Sequence, residues 1–264
     1  MTLETTTEID RTDLQDPGTI DSALITTVKC LSSYNWVEAP TPTIAVPGAP
    51  PLWTPPKEVC QLKKDSGLIY TKQNAARHPN CPLEPLFRSL FITNPSFDVR
   101  SVDVIADRNS IRKLLFFANP NIARRGIEPF SITIEVIRDT TIMYHLDSTT
   151  HEDITPNNFR GYNREFEKTY TTNQIEGSTG HYKIISYSFY GLNLIVRHKS
   201  DGCVKTDASP PTSGDQCPGA SDVSQFLDTL SVSLPKRPDT ASAGSELKLY
   251  VLRHSTPSHK SRVQ

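Results

Sequence analysis

Two stretches of this sequence alternate apolar and polar residues along most of their length. The first consists of Phe130–Arg138 (FSITIEVIR) and Thr141–Leu146 (TIMYHL), joined by Asp139-Thr140. The second runs from His181 to Ser200 and turns at Tyr190-Gly191. Alternation with a period of two places the apolar side chains on one face of a strand. Each stretch therefore predicts an antiparallel hairpin with one buried face.

Helical spacing of apolar residues occurs before and between these hairpins. Pro82–Thr93 has such spacing, and a second apolar stripe runs from an N-cap at Asp107 or Asn109 to Phe117. A short polar segment that contains Glu167 also has helical character. At least four strands with helices in this order predict an α+β fold. We expect a single domain with a mainly antiparallel or mixed central sheet flanked by helices.

The other segments divide the chain into one domain and its appendages. We expect a disordered acidic tail at residues 1–20 and the domain at 21–206, with a proline-rich arm at 37–57. Residues 207–244 are rich in Pro, Ser, Thr, Gly and Asp and predict a disordered insertion. A last strand and a basic tail follow at 245–264. The arm either binds the groove of a partner protein or lies on its own domain, and two flanking tryptophans that need burial favour the second.

Composition and charge narrow the function classes. The formal net charge of −1 gives no general attraction to nucleic acid or acidic lipid, so either partner needs a local basic patch. The acidic N-terminus lacks the apolar stretch of a signal peptide, and no apolar run approaches the roughly 20 residues of a membrane span. We therefore expect an intracellular protein, cytoplasmic or nuclear, with no membrane partner. Five cysteines without a C-x-x-C pair predict reduced thiols, not a disulfide framework or a zinc site.

Acidic residues around the second hairpin indicate metal chemistry. Glu167 lies on the predicted helix before the hairpin, and Asp201 lies where the hairpin stops. Glu246 and Lys248 are two residues apart on the last predicted strand, so their side chains share a face. A metal-dependent nuclease needs carboxylates to hold Mg²⁺ or Mn²⁺ and a lysine to stabilise charge or position water. The E-x-K pair alone is a weak signal, because a solvated strand face accounts for it equally well.

The order of these parts resembles the decapping exoribonuclease family of the PD-(D/E)XK nuclease superfamily, and most closely a fungal branch of it. In that family an arginine opens a helix ahead of two strands. A G-Φ-x-Φ-E helix, an E-Φ-D strand end and an E-Φ-K strand follow, where Φ is apolar. Arg108 in DRNSIRKLL matches the arginine, and Glu167 in GYNREFEKTY matches the acid of the helix. Asp201 in VRHKSD matches the acid of E-Φ-D, and Glu246 and Lys248 match E-Φ-K.

The resemblance implies a site for Mg or Mn and for RNA. In this interpretation three acids hold the metal, a lysine orients the attacking water, and Arg108 contacts a substrate phosphate. The implied catalytic residues are Glu167, Asp201, Glu246 and Lys248, of which the first three are the metal ligands. The substrate-binding candidates are Arg108, Arg112 and Lys113.

Departures from the family pattern change what we expect of this chain. Lys199 stands where E-Φ-D has its first acid, and an ammonium there repels a metal ion or has to swing away. Asn163 replaces the glycine of the helix motif, and more than 40 residues separate Asp201 from Glu246. The family also continues beyond E-Φ-K, where this chain ends. The sequence thus predicts a truncated or degenerate, at most weakly active nuclease-like protein related to RNA 5′-cap-processing enzymes.

The alternative is a non-catalytic interaction protein on the same scaffold, which binds protein partners through its proline-rich arm and its insertion. The two hypotheses predict different responses to divalent metal. If the protein is an enzyme, Asp201→Ala abolishes metal binding. If it is an interaction protein, divalent metal has no effect on its stability. A prenyl-diphosphate synthase is not supported, because such enzymes are helical bundles with D-D-x-x-D motifs. This chain has no adjacent aspartates and is rich in predicted strands.

Overall fold

The computed structural model describes residues 3–14, 24–58, 60–70, 73–122, 129–145, 151–155, 161–204 and 248–255. Over these residues the strands are β1 (Leu3–Asp10), β2 (Ile25–Val37), β3 (Thr43–Ala45), β4 (Leu52–Trp53), β5 (Gly67–Tyr70), β6 (Val104–Asp107), β7 (Phe130–Ile137), β8 (Thr140–Tyr144), β9 (His151–Ile154), β10 (Thr171–Thr172), β11 (Ser178–Phe189), β12 (Leu192–Ser200) and β13 (Lys248–Ser255). The α-helices are α1 (Gln73–Arg77), α2 (Glu84–Thr93), α3 (Arg108–Ala118) and α4 (Asn163–Tyr170). None of these helices has both the length and the apolar character that a membrane crossing requires.

A large mixed sheet dominates the described part of the chain. Its nine strands lie in the order β1-β13-β7-β8-β6-β12-β11-β2-β3. The pairs β12–β6, β6–β8 and β13–β7 are parallel, and the other neighbours are antiparallel. Both hairpins predicted from the alternating pattern are present, as β7–β8 and β11–β12. The prediction of an α+β fold with a mixed central sheet and flanking helices is confirmed.

The main core forms where α2 packs against the centre of this sheet. Leu86 and Leu90 lie one helical turn apart and are fully buried. They pack in one cluster with Tyr34 and Trp36 of β2 and with buried residues of β6, β11 and β12. The apolar spacing that predicted this helix is therefore the spacing that fills the core.

The proline-rich arm lies on its own domain, as the second interpretation of the sequence predicted. Within it, β3 pairs with β2, and β4 pairs with β10. A Cβ atom at Gly48 would come within 2.5 Å of the backbone of Tyr34, so only glycine allows this close approach. The side chain of Asn35 fixes the same turn by donating to the carbonyl of Ala49 at 2.9 Å.

The N-terminal segment differs from the predicted tail. Leu3–Asp10 forms β1 and pairs antiparallel with β13 at the edge of the large sheet. Its three threonines and Ile9 are β-branched and favour extended structure. Ile9 also packs against the cluster that contains Phe117 and Phe130. The insertion predicted at 207–244 lies outside the described residues.

The cysteines differ in part from the expectation. Cys60, Cys81 and Cys203 are free thiols. Cys30 is disulfide-bonded, so the prediction of reduced thiols is wrong for this residue. Spacing could not have identified it, because the number and order of cysteines do not fix which of them pair.

Candidate functional site

Helix α4 and the end of β12 bring the two predicted acids together. The carboxylate of Asp65, a residue only 1% exposed, accepts the backbone N–H groups of Arg164 at 3.3 Å and Glu165 at 3.0 Å. These bonds satisfy the first turn of α4 and fix its position. Glu167 follows about one turn later, and Asp201 directly follows the last residue of β12.

The ammonium of Lys199 lies between the two acids. Its Nζ atom is 2.8 Å from Oδ1 of Asp201 and 3.3 Å from Oε2 of Glu167. Burial lowers the pKa of Lys199, but the carboxylates of Asp201 and Glu167 outweigh burial and raise this pKa above its ordinary value. Burial raises the pKa of Glu167, and the charge of Lys199 opposes that shift. The lysine therefore stays charged and joins the two acids into one ion-paired cluster.

These residues do not fit a divalent ion. Mg²⁺ and Mn²⁺ need several oxygen ligands around one point, but here an ammonium lies at the point on which the two carboxylates converge. Among the described residues, no three of the types His, Cys, Asp and Glu come together as a ligand set. The sequence suggested that Lys199 repels a metal ion or swings away. The structure shows a third outcome, in which the lysine bridges the carboxylates.

Arginines line the cleft next to this cluster. Arg108 and Arg112 come from the first half of α3, and Arg164 comes from the first turn of α4. Together with Lys199 and Asp201 they line a cavity of about 580 Å³. Burial and the neighbouring charge of Arg112 lower the pKa of Arg108, whereas Asp201 acts in the opposite direction. The cleft is thus a local basic patch in a chain whose net charge is close to zero.

Arg197 forms the buried floor of this cleft, with a side chain that is 1% exposed. Its Nε and Nη2 atoms donate to the two carboxylate oxygens of Asp107 at 2.7 and 2.8 Å. Its Nη1 atom donates to the carbonyl of Pro82 at 2.7 Å and to the hydroxyl of Tyr34 at 3.3 Å. This bidentate ion pair joins β12, which carries Lys199, to the start of α3, which carries Arg108 and Arg112. It fixes the position of these two elements relative to each other.

The other predicted site residues lie elsewhere. Nζ of Lys113 lies over the ring of Phe130, 5.2 Å from its centroid. Glu246 lies outside the described residues. Lys248 begins β13, and β7, β8 and β6 lie between β13 and β12. At about 4.8 Å per strand, that places β13 about 19 Å from β12 along the sheet. The structure therefore brings together Arg108, Arg112, Glu167 and Asp201, and it does not bring Lys113 or Lys248 to them.

Comparison with known proteins places the chain in a family. The family model described as "Domain of unknown function (DUF8563)" matches residues 7–228. The chain belongs to this family. No curated protein sequence matches it.

Among solved structures, the crystal structures of S. pombe Rai1, alone and in complex with 3′-FADP, are similar to this DUF8563 chain with a TM-score of 0.45 and 11% sequence identity. The alignments cover 76% and 77% of this chain and 60% and 61% of the Rai1 chains. The chain thus spans about three fifths of the length of the Rai1 chains.

Sequence reasoning missed two features of the DUF8563 site. Asp107 was a candidate N-cap of α3, and it holds that position without making a side-chain capping bond. Both of its carboxylate oxygens accept from Arg197 instead. The signal was an arginine at an inward position of an apolar strand, since a buried arginine requires an acid. Sequence reasoning also assigned no role to Arg164, which adds positive charge to the cleft.

Proposed function

We propose that this chain is a degenerate relative of RNA 5′-cap-processing nucleases that binds RNA through its phosphates without a divalent ion. The observation that carries the proposal is the ammonium of Lys199 between Glu167 and Asp201. It offsets one of the two negative charges of these acids, which would otherwise repel a phosphate more strongly. It also leaves the charge of the surrounding arginines available to an anionic ligand.

The cleft has the chemistry and size for a phosphate-bearing ligand. One guanidinium group can donate to two phosphate oxygens at the same time, and it remains charged at all physiological pH values. Arg112 and Arg164 are exposed, and Arg108 is half-buried beside them. A cavity of about 580 Å³ lies within the range of small-molecule sites, and it opens beside a second cavity of about 540 Å³ that also contains Arg164 and Lys199. A ligand that carries several phosphates in a row, such as an RNA strand, suits two neighbouring basic cavities better than a ligand with a single phosphate.

The test of this proposal is RNA binding by an arginine double variant. We expect Arg108→Ala combined with Arg112→Ala to weaken binding of a single-stranded RNA oligonucleotide by roughly tenfold, because two phosphate contacts are lost. Fluorescence anisotropy at several salt concentrations measures this. The slope of log affinity against log salt should decrease by about 1.4, since each contact to a single strand contributes about 0.7.

Arg88→Ala is the matched control. Arg88 is an exposed arginine on α2 and pairs with Glu84 at 2.6 Å, away from the residues that line the cleft. Its loss should leave both the affinity and the salt slope unchanged. If the control weakens binding as much as the double variant does, RNA binds by general charge and not in the cleft. If the wild-type chain does not bind RNA, the proposal is wrong.

The second candidate function is a weakly active, metal-dependent nuclease that uses Mg or Mn. The observation in its favour is that Glu167 and Asp201 converge on one point, which a metal ion can occupy only if the side chain of Lys199 moves away. Cleavage of end-labelled RNA that requires Mn²⁺ and is abolished by Asp201→Ala would favour this enzyme over the metal-free binder.

A further inference from the structure

We propose that an aromatic surface beside the basic cleft stacks a nucleobase, so that the ligand of the cleft is a single strand with an unpaired base. The surface, named here the aromatic platform, consists of Trp53, Phe166 and Tyr170. This inference rests on the proposed function, since it concerns the strand whose phosphates the cleft holds.

The rings of the aromatic platform lie close together, and two of the three are exposed. Phe166 and Tyr170 stack with centroids 4.6 Å apart and planes 17° apart, and Trp53 stacks on Tyr170 at 5.5 Å and 24°. Trp53 is 39% exposed and Phe166 is 40% exposed. Leaving a large apolar ring in water costs free energy. The other tryptophan of the chain, Trp36, is only 1% exposed. The platform thus presents ring surface that the described residues leave uncovered.

The aromatic platform lies on the face of α4 next to the face that lines the second cavity. Phe166 directly precedes Glu167 on α4, and successive residues of a helix point about 100° apart. Trp53 of β4 pairs with Thr171 of β10. Thr171 in turn lines the second cavity, which also contains Glu167 and Lys199. A strand that leaves this cavity past α4 can therefore place a following base on the platform.

A nucleobase suits this arrangement better than the apolar side chain of a protein partner. Proteins that bind single strands combine a basic groove with aromatic side chains on which bases stack, and the stacking tolerates any base because every base has a π face. The platform and the cleft provide these two elements side by side. A double helix keeps its bases inside the stack, so the platform selects single-stranded RNA over a duplex.

The test compares two ligands of equal length and charge, a single-stranded RNA oligonucleotide and the same oligomer made of abasic nucleotides. Wild-type protein should bind the RNA more tightly than the abasic oligomer, and RNA should quench the fluorescence of Trp53. Trp53→Ala should weaken RNA binding by about tenfold and leave the abasic oligomer unaffected. Trp53→Phe should retain much of the RNA affinity, because a phenyl ring also stacks. Phe166→Ala should lower RNA affinity in the same way, which guards against misfolding of a single variant.

Tyr190→Ala is the matched control. Tyr190 is 64% exposed at the turn between β11 and β12, at the opposite end of the hairpin from Asp201, about 30 Å away along the strands. Replacing it should change neither the affinity for the RNA oligonucleotide nor the affinity for the abasic oligomer.

Each outcome decides the proposal. If both ligands bind equally and Trp53→Ala changes nothing, the platform is not a base site, although the cleft remains a phosphate site. If Trp53→Ala weakens both ligands equally, the residue has only a structural role. If wild-type protein binds neither ligand, this inference and the proposed function both fail.

Discussion

Replacing Arg197 with methionine should lower the free energy of unfolding by about 3–5 kcal/mol, the usual cost of removing one partner of a buried ion pair. The guanidinium makes four hydrogen bonds to Asp107, Pro82 and Tyr34, and its side chain is 1% exposed. Methionine fills much of the same volume, so lost packing contributes little. The loss arises because the carboxylate of Asp107 remains in a half-buried site without its cation, and the carbonyl of Pro82 loses its donor.

Urea unfolding of Arg197→Met and of Lys199→Met measures this effect. Lys199 lies two residues further along the same strand but is 45% exposed, and its ion pairs are partly open to solvent. Its replacement should cost less than about 1 kcal/mol. The account of the cleft floor is wrong if both variants lose similar, small amounts of stability. A double-mutant cycle with Asp107→Asn gives a second test. The account is supported if Asp107→Asn lowers the free energy of unfolding and the double variant with Arg197→Met loses less stability than the sum of the two single variants.

Replacing Lys199 with glutamate should create a divalent-ion site that the wild-type protein lacks. The change removes the ammonium and adds a third carboxylate at the point where Glu167 and Asp201 converge. Three acids around one point provide oxygen ligands for Mn²⁺ or Mg²⁺, and they repel one another when no ion is bound. A ligand that binds only the folded state at 100 times its Kd stabilises it by about 2.7 kcal/mol. We therefore expect millimolar Mn²⁺ to raise the unfolding midpoint of Lys199→Glu by about 5 °C or more.

The controls for this prediction are the wild-type protein and Lys199→Gln. The glutamine variant loses the ammonium but gains no acid, so its midpoint should rise less than that of the glutamate variant. The wild-type midpoint should not rise, because the ammonium of Lys199 lies between the two carboxylates and repels a cation. An equal rise in wild-type protein and in Lys199→Glu would show that the lysine does not exclude metal. No rise in Lys199→Glu would show that the two acids are not positioned as metal ligands.

The hairpins and the main helices could be predicted because their signals are local. Alternation in FSITIEVIR and apolar spacing in PLEPLFRSLFIT report which face of each element is buried, and α2 and the β7–β8 hairpin follow from them. The strand order could not be predicted, since β12 pairs with β6 and β13 pairs with β7 over long sequence separations. Local patterns do not determine such pairings. For the same reason they could not show that Lys248 lies on a strand about 19 Å from β12 along the sheet.

The candidate site was predictable to the same extent. The motifs named Arg108, Glu167 and Asp201. The structure places Arg108 in the cleft, Glu167 in the neighbouring cavity, and Asp201 in both. The role of Lys199 was not predictable, because spacing gives the face of a strand on which a side chain lies but not its partner. The three-residue cluster depends on the position of α4, which Asp65 fixes from a segment about 100 residues earlier in the chain.

The most direct test of the central claim, that the cleft binds RNA without a divalent ion, is the affinity of the wild-type chain for a single-stranded RNA oligonucleotide in excess EDTA and in millimolar Mn²⁺. Our account predicts intact RNA in both conditions and the same Kd within about twofold, because binding is not linked to metal. Binding that disappears in EDTA, or cleavage in Mn²⁺ that Asp201→Ala abolishes, would contradict it.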